Sequence, residues 1–259
     1  MRYLLALLGT LLVTSPLYAQ SVRVSVDGEV AHPGTQTLPT DSRLAQALIA
    51  ASPTSDAYPT AAVFLRPSER HSQLRQKAGL LHDLDMLAAS TDGDLAILAS
   101  ELAAWVRGLP VTGRIPAELS PRRAEITPGK NPTLLDGDSI HYPMRPTHVL
   151  VVGAVQAPCR MDHVPLQEAR DYVASCTTRL ADRDRVFVIQ PDGRTFQVGV
   201  ALWNRDEAQS LAPGAVLYVP LDRQFIRQVD ADLNEAFAAF LATQPAANIA
   251  SSENRRFAP

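Results

Sequence analysis

The sequence predicts an α+β protein in which one small module is used twice, and three observations carry that reading. The stretch 148–159, HVLVVGAVQAPC, repeats the pattern of 22–34, VRVSVDGEVAHPG: a strand, a glycine, a valine two residues on, then a proline turn. Each copy continues into a short strand-like piece and an Ala/Leu-rich helical segment. Each closes on a related strand, LLDGDSIHYP at 134–143 and LAPGAVLYVP at 211–220. Internal repeats decide architecture before any single element does.

Composition bounds the class. The chain has 259 residues, 46% hydrophobic and 20% charged, enough to bury a real core in one or two domains. A formal net charge of -3, with no Lys/Arg tract, zinc-finger spacing or RNA-binding motif, argues against a nucleic-acid partner. Arg2, the apolar run 4–13 and Ser15-Pro16-Leu17-Tyr18-Ala19 have the layout of a cleavable secretory signal peptide over residues 1–19. The alternative is a retained N-terminal anchor, although the run is short for a membrane span. Export places Cys159 and Cys176 in an oxidising compartment, where a disulfide is the default; two free buried thiols are the alternative. A bridge would close a loop worth on the order of 3 kcal/mol.

Along the first copy, Val22, Val24 and Val26 alternate with polar residues, as in a strand with one buried face. Asp41 or Ser42 is a suitable N-cap for a helix carrying Leu44, Ala47, Leu48 and Ala51, and a strand follows at 62–66. Over 68–108 the period becomes helical, through Leu74, Ala78, Leu81, Leu84 and Leu87, then Leu95, Leu98, Leu102, Trp105 and Val106. The polar loop 91–94 between them makes this a helical hairpin. The Pro/Gly-rich segment 109–132 reads as irregular strands and turns.

The second copy has a helix from about Leu166 to Cys176, a strand at 185–191, an Asp192-Gly193 two-residue hairpin turn and a return strand through Val198. Hairpin, helix and further strands in this order describe a β-grasp-like module. The boundaries are 20–146 for the first module, with its hairpin insertion, and 147–221 for the second. Residues 222–259 read as one amphipathic helix of about 20 residues and a disordered polar tail. Phe225, Ile226, Val229, Leu233, Phe237, Phe240 and Leu241 form its apolar stripe. The stripe docks on its own chain, meets a partner or the outer-membrane surface, or assembles a ring whose polar faces line a lumen; Arg227, Asp230, Asp232 and Glu235 oppose a single span.

No catalytic signature is present: GxSxG, Walker A, HExxH and GxGxxG are all absent from the sequence. His82 and Asp85 share a helix face, read as solvated rather than as half a metal site. His141 and His148 flank the module boundary and read as strand or linker residues. Trp105 and Trp203 read as core, with sugar-stacking platforms as the alternative. No cofactor or metal is expected.

The two GxVxxPG-like units, the closing strands and the export signal resemble the soluble-ligand-binding β-grasp (SLBB) domains of polysaccharide-export machinery. The order of parts is closest to the GfcC family of capsule-biosynthesis proteins, and the resemblance covers nearly the whole mature chain. It implies a periplasmic, non-enzymatic accessory protein of capsule or exopolysaccharide assembly or export. Its partners would be the export and assembly proteins or the polysaccharide. A structural part of an outer-membrane export channel is the alternative. The family's Thr-Gly-Arg segment matches Thr112-Gly113-Arg114 and singles out Arg114, either as a ligand contact or as a fork tying a loop to carbonyls. Cys159 departs from the pattern, standing where the first copy has Gly34.

Overall fold

The computed structural model describes residues 20–90, 93–204 and 209–256, so the expected signal peptide at 1–19 lies outside the described residues. The chain folds as two mixed five-stranded sheets with helices between and around them. The first sheet contains β1 (Ser21–Gly28), β2 (Gly34–Pro39), β3 (Val63–Leu65), β4 (Arg114–Ile115) and β5 (Ser139–Tyr142), in the order β2-β1-β5-β3-β4. The second contains β6 (His148–Gly153), β7 (Cys159–Asp162), β8 (Arg185–Ile189), β9 (Thr195–Gly199) and β10 (Val216–Val219), in the order β7-β6-β10-β8-β9. Position by position the two orders are the same.

The repeat extends to register. Val26 pairs with Gly34 across the first hairpin, and Val151 with Cys159 across the second. Each opening strand runs parallel to its closing strand, with Gly28 opposite Tyr142 and Gly153 opposite Val219. Both glycines have positive φ, 85° and 102°, and a Cβ there would sit 2.0 Å from the Tyr142 carbonyl oxygen or 2.3 Å from that of Val219. The glycine of each copy is therefore required twice over, by backbone conformation and by close approach.

Burial differs between the sheets. β1 alternates exposed and buried residues, so one face is solvated, and the cluster beneath it is local, built from Leu44, Leu48, Phe64, Ile140 and Tyr142. β6, β8 and β10 are almost continuously buried, which a strand shows when both faces are covered. The helical hairpin, α2 (Arg70–Ser90) and α3 (Asp94–Gly108), leaves the first sheet between β3 and β4 but joins the core of the second. In the second sheet a short loop over 191–193 holds that place, closed by Gly193 N–H donating to Gln190 O at 2.8 Å. This is a three-residue loop rather than the expected two-residue turn, because Gln190 and Arg194 still pair.

Other expectations need correction. The first helix, α1 (Leu44–Ala51), is not capped by the Asp41 or Ser42 side chain; its Ala45 N–H is taken by the remote Asn131 side chain at 2.9 Å. A short helix, α4 (Pro121–Ile126), lies in the segment read as irregular. The second module's helix, α5 (Ala169–Ala174), starts later than Leu166, which instead has φ 64° and is 84% exposed. The single C-terminal helix is two: α6 (Arg223–Ile226) and α7 (Leu233–Ala242). Between them, Asp230 accepts the Asp232 N–H at 2.9 Å, a local turn that competes with helix continuation just before α7 begins.

The tail expected to be disordered carries a third helix, α8 (Ala246–Arg256), anchored by the fully buried Ile249. Of the stripe, Ile226, Leu233, Phe237, Phe240 and Leu241 are buried in the second core, while Phe225 and Val229 are partly buried against it. The aromatic stack explains this docking: Phe237 lies on Tyr218 at 4.7 Å and contacts Trp105 at 5.6 Å. Among the described residues no helix is long and apolar enough to cross a membrane.

Candidate functional site: the junction between the modules

The junction is built around Thr112-Gly113-Arg114. β4 is an edge strand, and its outer edge is closed by one side chain from α2. Gln73 Oε1 accepts the Gly113 N–H at 2.7 Å and its Nε2 donates to Arg114 O at 2.9 Å, imitating a missing neighbouring strand. Gly113 has φ 80°, and a Cβ would lie 2.4 Å from Arg66 O, so the middle residue of the motif must be glycine. Thr112 Oγ1 accepts the Arg114 N–H at 3.0 Å and donates to Thr243 O at 2.7 Å, reaching the end of α7.

Arg114 completes the junction. Its side chain crosses from the first module to the second, where Nη2 donates to Pro191 O at 2.5 Å in the β8–β9 loop. Nη1 donates to Ala242 O at 3.3 Å and Gln244 O at 3.2 Å, both at the C-terminal end of α7. The residue is 8% exposed, and burial lowers its pKa to about 10, partly offset by the Asp192 carboxylate. It therefore remains a cation at neutral pH. A cation at a helix C-terminus also complements the unpaired carbonyls there. Of the two readings of Arg114, the observed contacts are those of a fork holding three segments together. No sequence spacing links Gln73, Pro191 or residues 242–244 to the motif, because all three meet it only through the fold.

The clamp also sets one wall of a cleft. Gln244, held by Arg114, is followed by Pro245 and α8, which is pinned to α3 by Trp105 Nε1–H donating to Ser252 Oγ at 2.9 Å. Between α8, the linker 143–147, the end of β5, the start of β6 and Arg160 of β7 lies a cleft of about 520 Å³. Its charged side chains are Arg145 and Arg160, accompanied by His141 and His148. The Arg160 guanidinium donates to His148 Nδ1 at 3.1 Å. Burial and the nearby Arg160 charge lower the His148 pKa, against a weaker opposing pull from Asp162. His148 is therefore neutral at pH 7, with Nδ1 as acceptor and its proton on Nε2. His141 pairs through Nδ1 with Asp27. The Arg145 guanidinium lies over the Tyr58 ring at 5.3 Å.

The remaining candidates are spread out. Cys159 and Cys176 are disulfide-bonded, with Cα atoms 6.1 Å apart, and join the edge strand β7 to the end of α5. Trp105 is core, but Trp203 is not: it is 72% exposed, with its indole N–H on Asp184 at 3.2 Å. Asp85 pairs with Arg107 across the helical hairpin rather than with His82. Among the described residues no cluster of three metal-ligating side chains is present.

The family model "Capsule biosynthesis GfcC, N-terminal" matches residues 19–144, and "Capsule biosynthesis GfcC C-terminal" matches residues 160–245. A protein of Escherichia coli (strain K12), "Uncharacterized protein YjbG", is 30% identical over 149 residues. That match covers 57% of this chain and 60% of the relative's length. With a match on each module, in the expected order, this chain belongs to the GfcC-like family of capsule-biosynthesis proteins.

Proposed function

We propose that this protein is a non-enzymatic periplasmic accessory factor of capsule or exopolysaccharide assembly or export, acting by binding the export machinery or the polysaccharide. The observation that carries the proposal is the pair of capsule-biosynthesis matches, one on each half of the chain. The disulfide supports an oxidising compartment. The shared strand order, with its parallel central pair and helical crossover, supports reading both modules as β-grasp units of the SLBB type, divided near residue 146. Support for a non-enzymatic role comes from Arg114, whose guanidinium is engaged by three internal carbonyls rather than turned to a substrate.

The alternative, a structural part of an export channel, gains nothing from the C-terminal segment, since most of its apolar stripe is buried in its own chain. Peripheral outer-membrane contact through the same stripe is disfavoured for the same reason. The test is an in-frame deletion with quantification of surface-attached polysaccharide. The proposal expects a reduction, restored by the full chain and not by a chain starting at Gln20, which lacks the proposed leader. Unchanged surface polysaccharide in the deletion strain overturns it.

A further inference from the structure

We propose that the cleft at the module junction binds a short acidic saccharide segment, with Arg145 and Arg160 receiving its carboxylate. This deepens the proposed function and rests on it for the choice of a sugar. Three features of the cleft point to such a ligand.

First, its charge has one sign. The ionised side chains in its lining are the two arginines, and among the described residues neither forms an ion pair with a carboxylate. Arg145 is spread over the Tyr58 ring and Arg160 is spent on a neutral imidazole nitrogen, so each retains guanidinium N–H groups for an anion. Second, the nitrogen-bearing side chains around Arg160 present donors. Holding His148 Nδ1 as an acceptor leaves its Nε2–H as the free edge of the ring, and the guanidinium and imidazole N–H groups are the donor types a carboxylate accepts from. Third, most of the remaining lining is apolar, including Pro143, Met144, Pro146 and Pro245, with Met144 63% exposed, and only Thr147 and Ser251 add hydroxyls. Such surfaces pack against the C–H faces of a pyranose ring. A bare phosphate would use the donors and leave this apolar floor uncovered. The volume, about 520 Å³, lies in the range of small-ligand sites and sits where such sites concentrate, between two modules.

Arg114 is a positioning residue here. It does not line the cleft but fixes Gln244, and so the start of the α8 wall.

The experiment is calorimetric titration of the mature protein with trigalacturonic acid, alongside its methyl ester, inorganic phosphate and triglutamate. The expected result is saturable binding of the acid, weakened at least about 10-fold in the ester, since a charge-assisted contact is worth that much. Arg145→Gln and Arg160→Gln should weaken it about 10-fold or more with the melting temperature unchanged. If either variant is destabilised, Arg145→Lys or Arg160→Lys, which keeps the charge, should retain most of the binding. Equal binding of ester and acid, or folded glutamine variants binding like the wild type, overturns the proposal. Equal affinity for phosphate or triglutamate also overturns it, by removing the sugar from the recognition. The wider role is judged separately. A deletion strain that loses its capsule, beside a protein that ignores trigalacturonate, removes the ligand and leaves the accessory role standing.

Discussion

Arg114→Lys separates a junction held by charge from one held by the guanidinium fork. The charge survives the substitution, but the geometry does not. Arg114 donates to three carbonyls in two directions, Pro191 on one side and Ala242 with Gln244 on the other. A lysine ammonium is a compact point charge on a different stem and cannot span both. Losing one or two hydrogen bonds from a cation, each worth about 1.5–3 kcal/mol, gives a net loss on the order of 3 kcal/mol. In a chain of this size that lowers the melting temperature by roughly 6–12 °C. Arg114→Met should cost a similar amount: it removes a buried cation whose pKa has fallen to about 10, but leaves the carbonyls unpartnered. Calorimetric melts of wild type and both variants at pH 7 give the answer. A lysine variant melting within about 1 °C of wild type would refute the fork as a structural element.

Three further outcomes follow from the geometry. Removing the disulfide as Cys159→Ser/Cys176→Ser should cost about 2–4 kcal/mol, because the closed loop and the tie between β7 and α5 are both lost; a melting temperature unchanged from wild type contradicts this. Gly153→Ala should cost roughly 2–5 kcal/mol, adding left-handed strain to a methyl placed 2.3 Å from Val219 O, so a soluble variant of wild-type stability in urea denaturation would contradict the reading of the repeat. The His148 pKa is lowered in the folded state, so below its ordinary value of 6.5 the unfolded chain binds more protons and stability falls with pH. His148→Gln should flatten that part of the stability–pH curve, and an unchanged slope between pH 6.5 and 5 argues against the assignment.

The parts legible in the sequence were those set by local pattern. The alternation at 22–26 predicts a strand with one buried face, as β1 has, and the run at 149–152 reads as a strand, which β6 is, with both faces covered. The helical hairpin was visible because its leucines recur at helical spacing. What covers the second sheet was not, since Leu84 and Leu98 belong by sequence to the first module and by packing to the second core. The break in the C-terminal helix had a signal, the Asp-x-Asp at 230–232, outweighed by the apolar stripe. The tail misled through composition: a polar segment needs only one well-placed apolar side chain, here Ile249, and one hydrogen bond to Trp105 to be held as a helix. Trp203, set among apolar neighbours in sequence, is exposed because it lies in the stretch following β9, beyond the sheet. As for the site, the Thr-Gly-Arg motif was found through resemblance, but Arg145 and Arg160 were not. They come from a linker and an edge strand, and only the fold brings them to one cleft.

The proposal that this protein holds polysaccharide without changing it is tested most directly by equilibrium dialysis against the producing strain's own purified capsule polymer. Free polymer and its reducing ends would be measured before and after incubation. The account predicts saturable retention on the protein side, abolished by the paired substitution Arg145→Gln/Arg160→Gln, with reducing ends constant. Equal polymer on both sides of the membrane, or newly formed reducing ends, would contradict it.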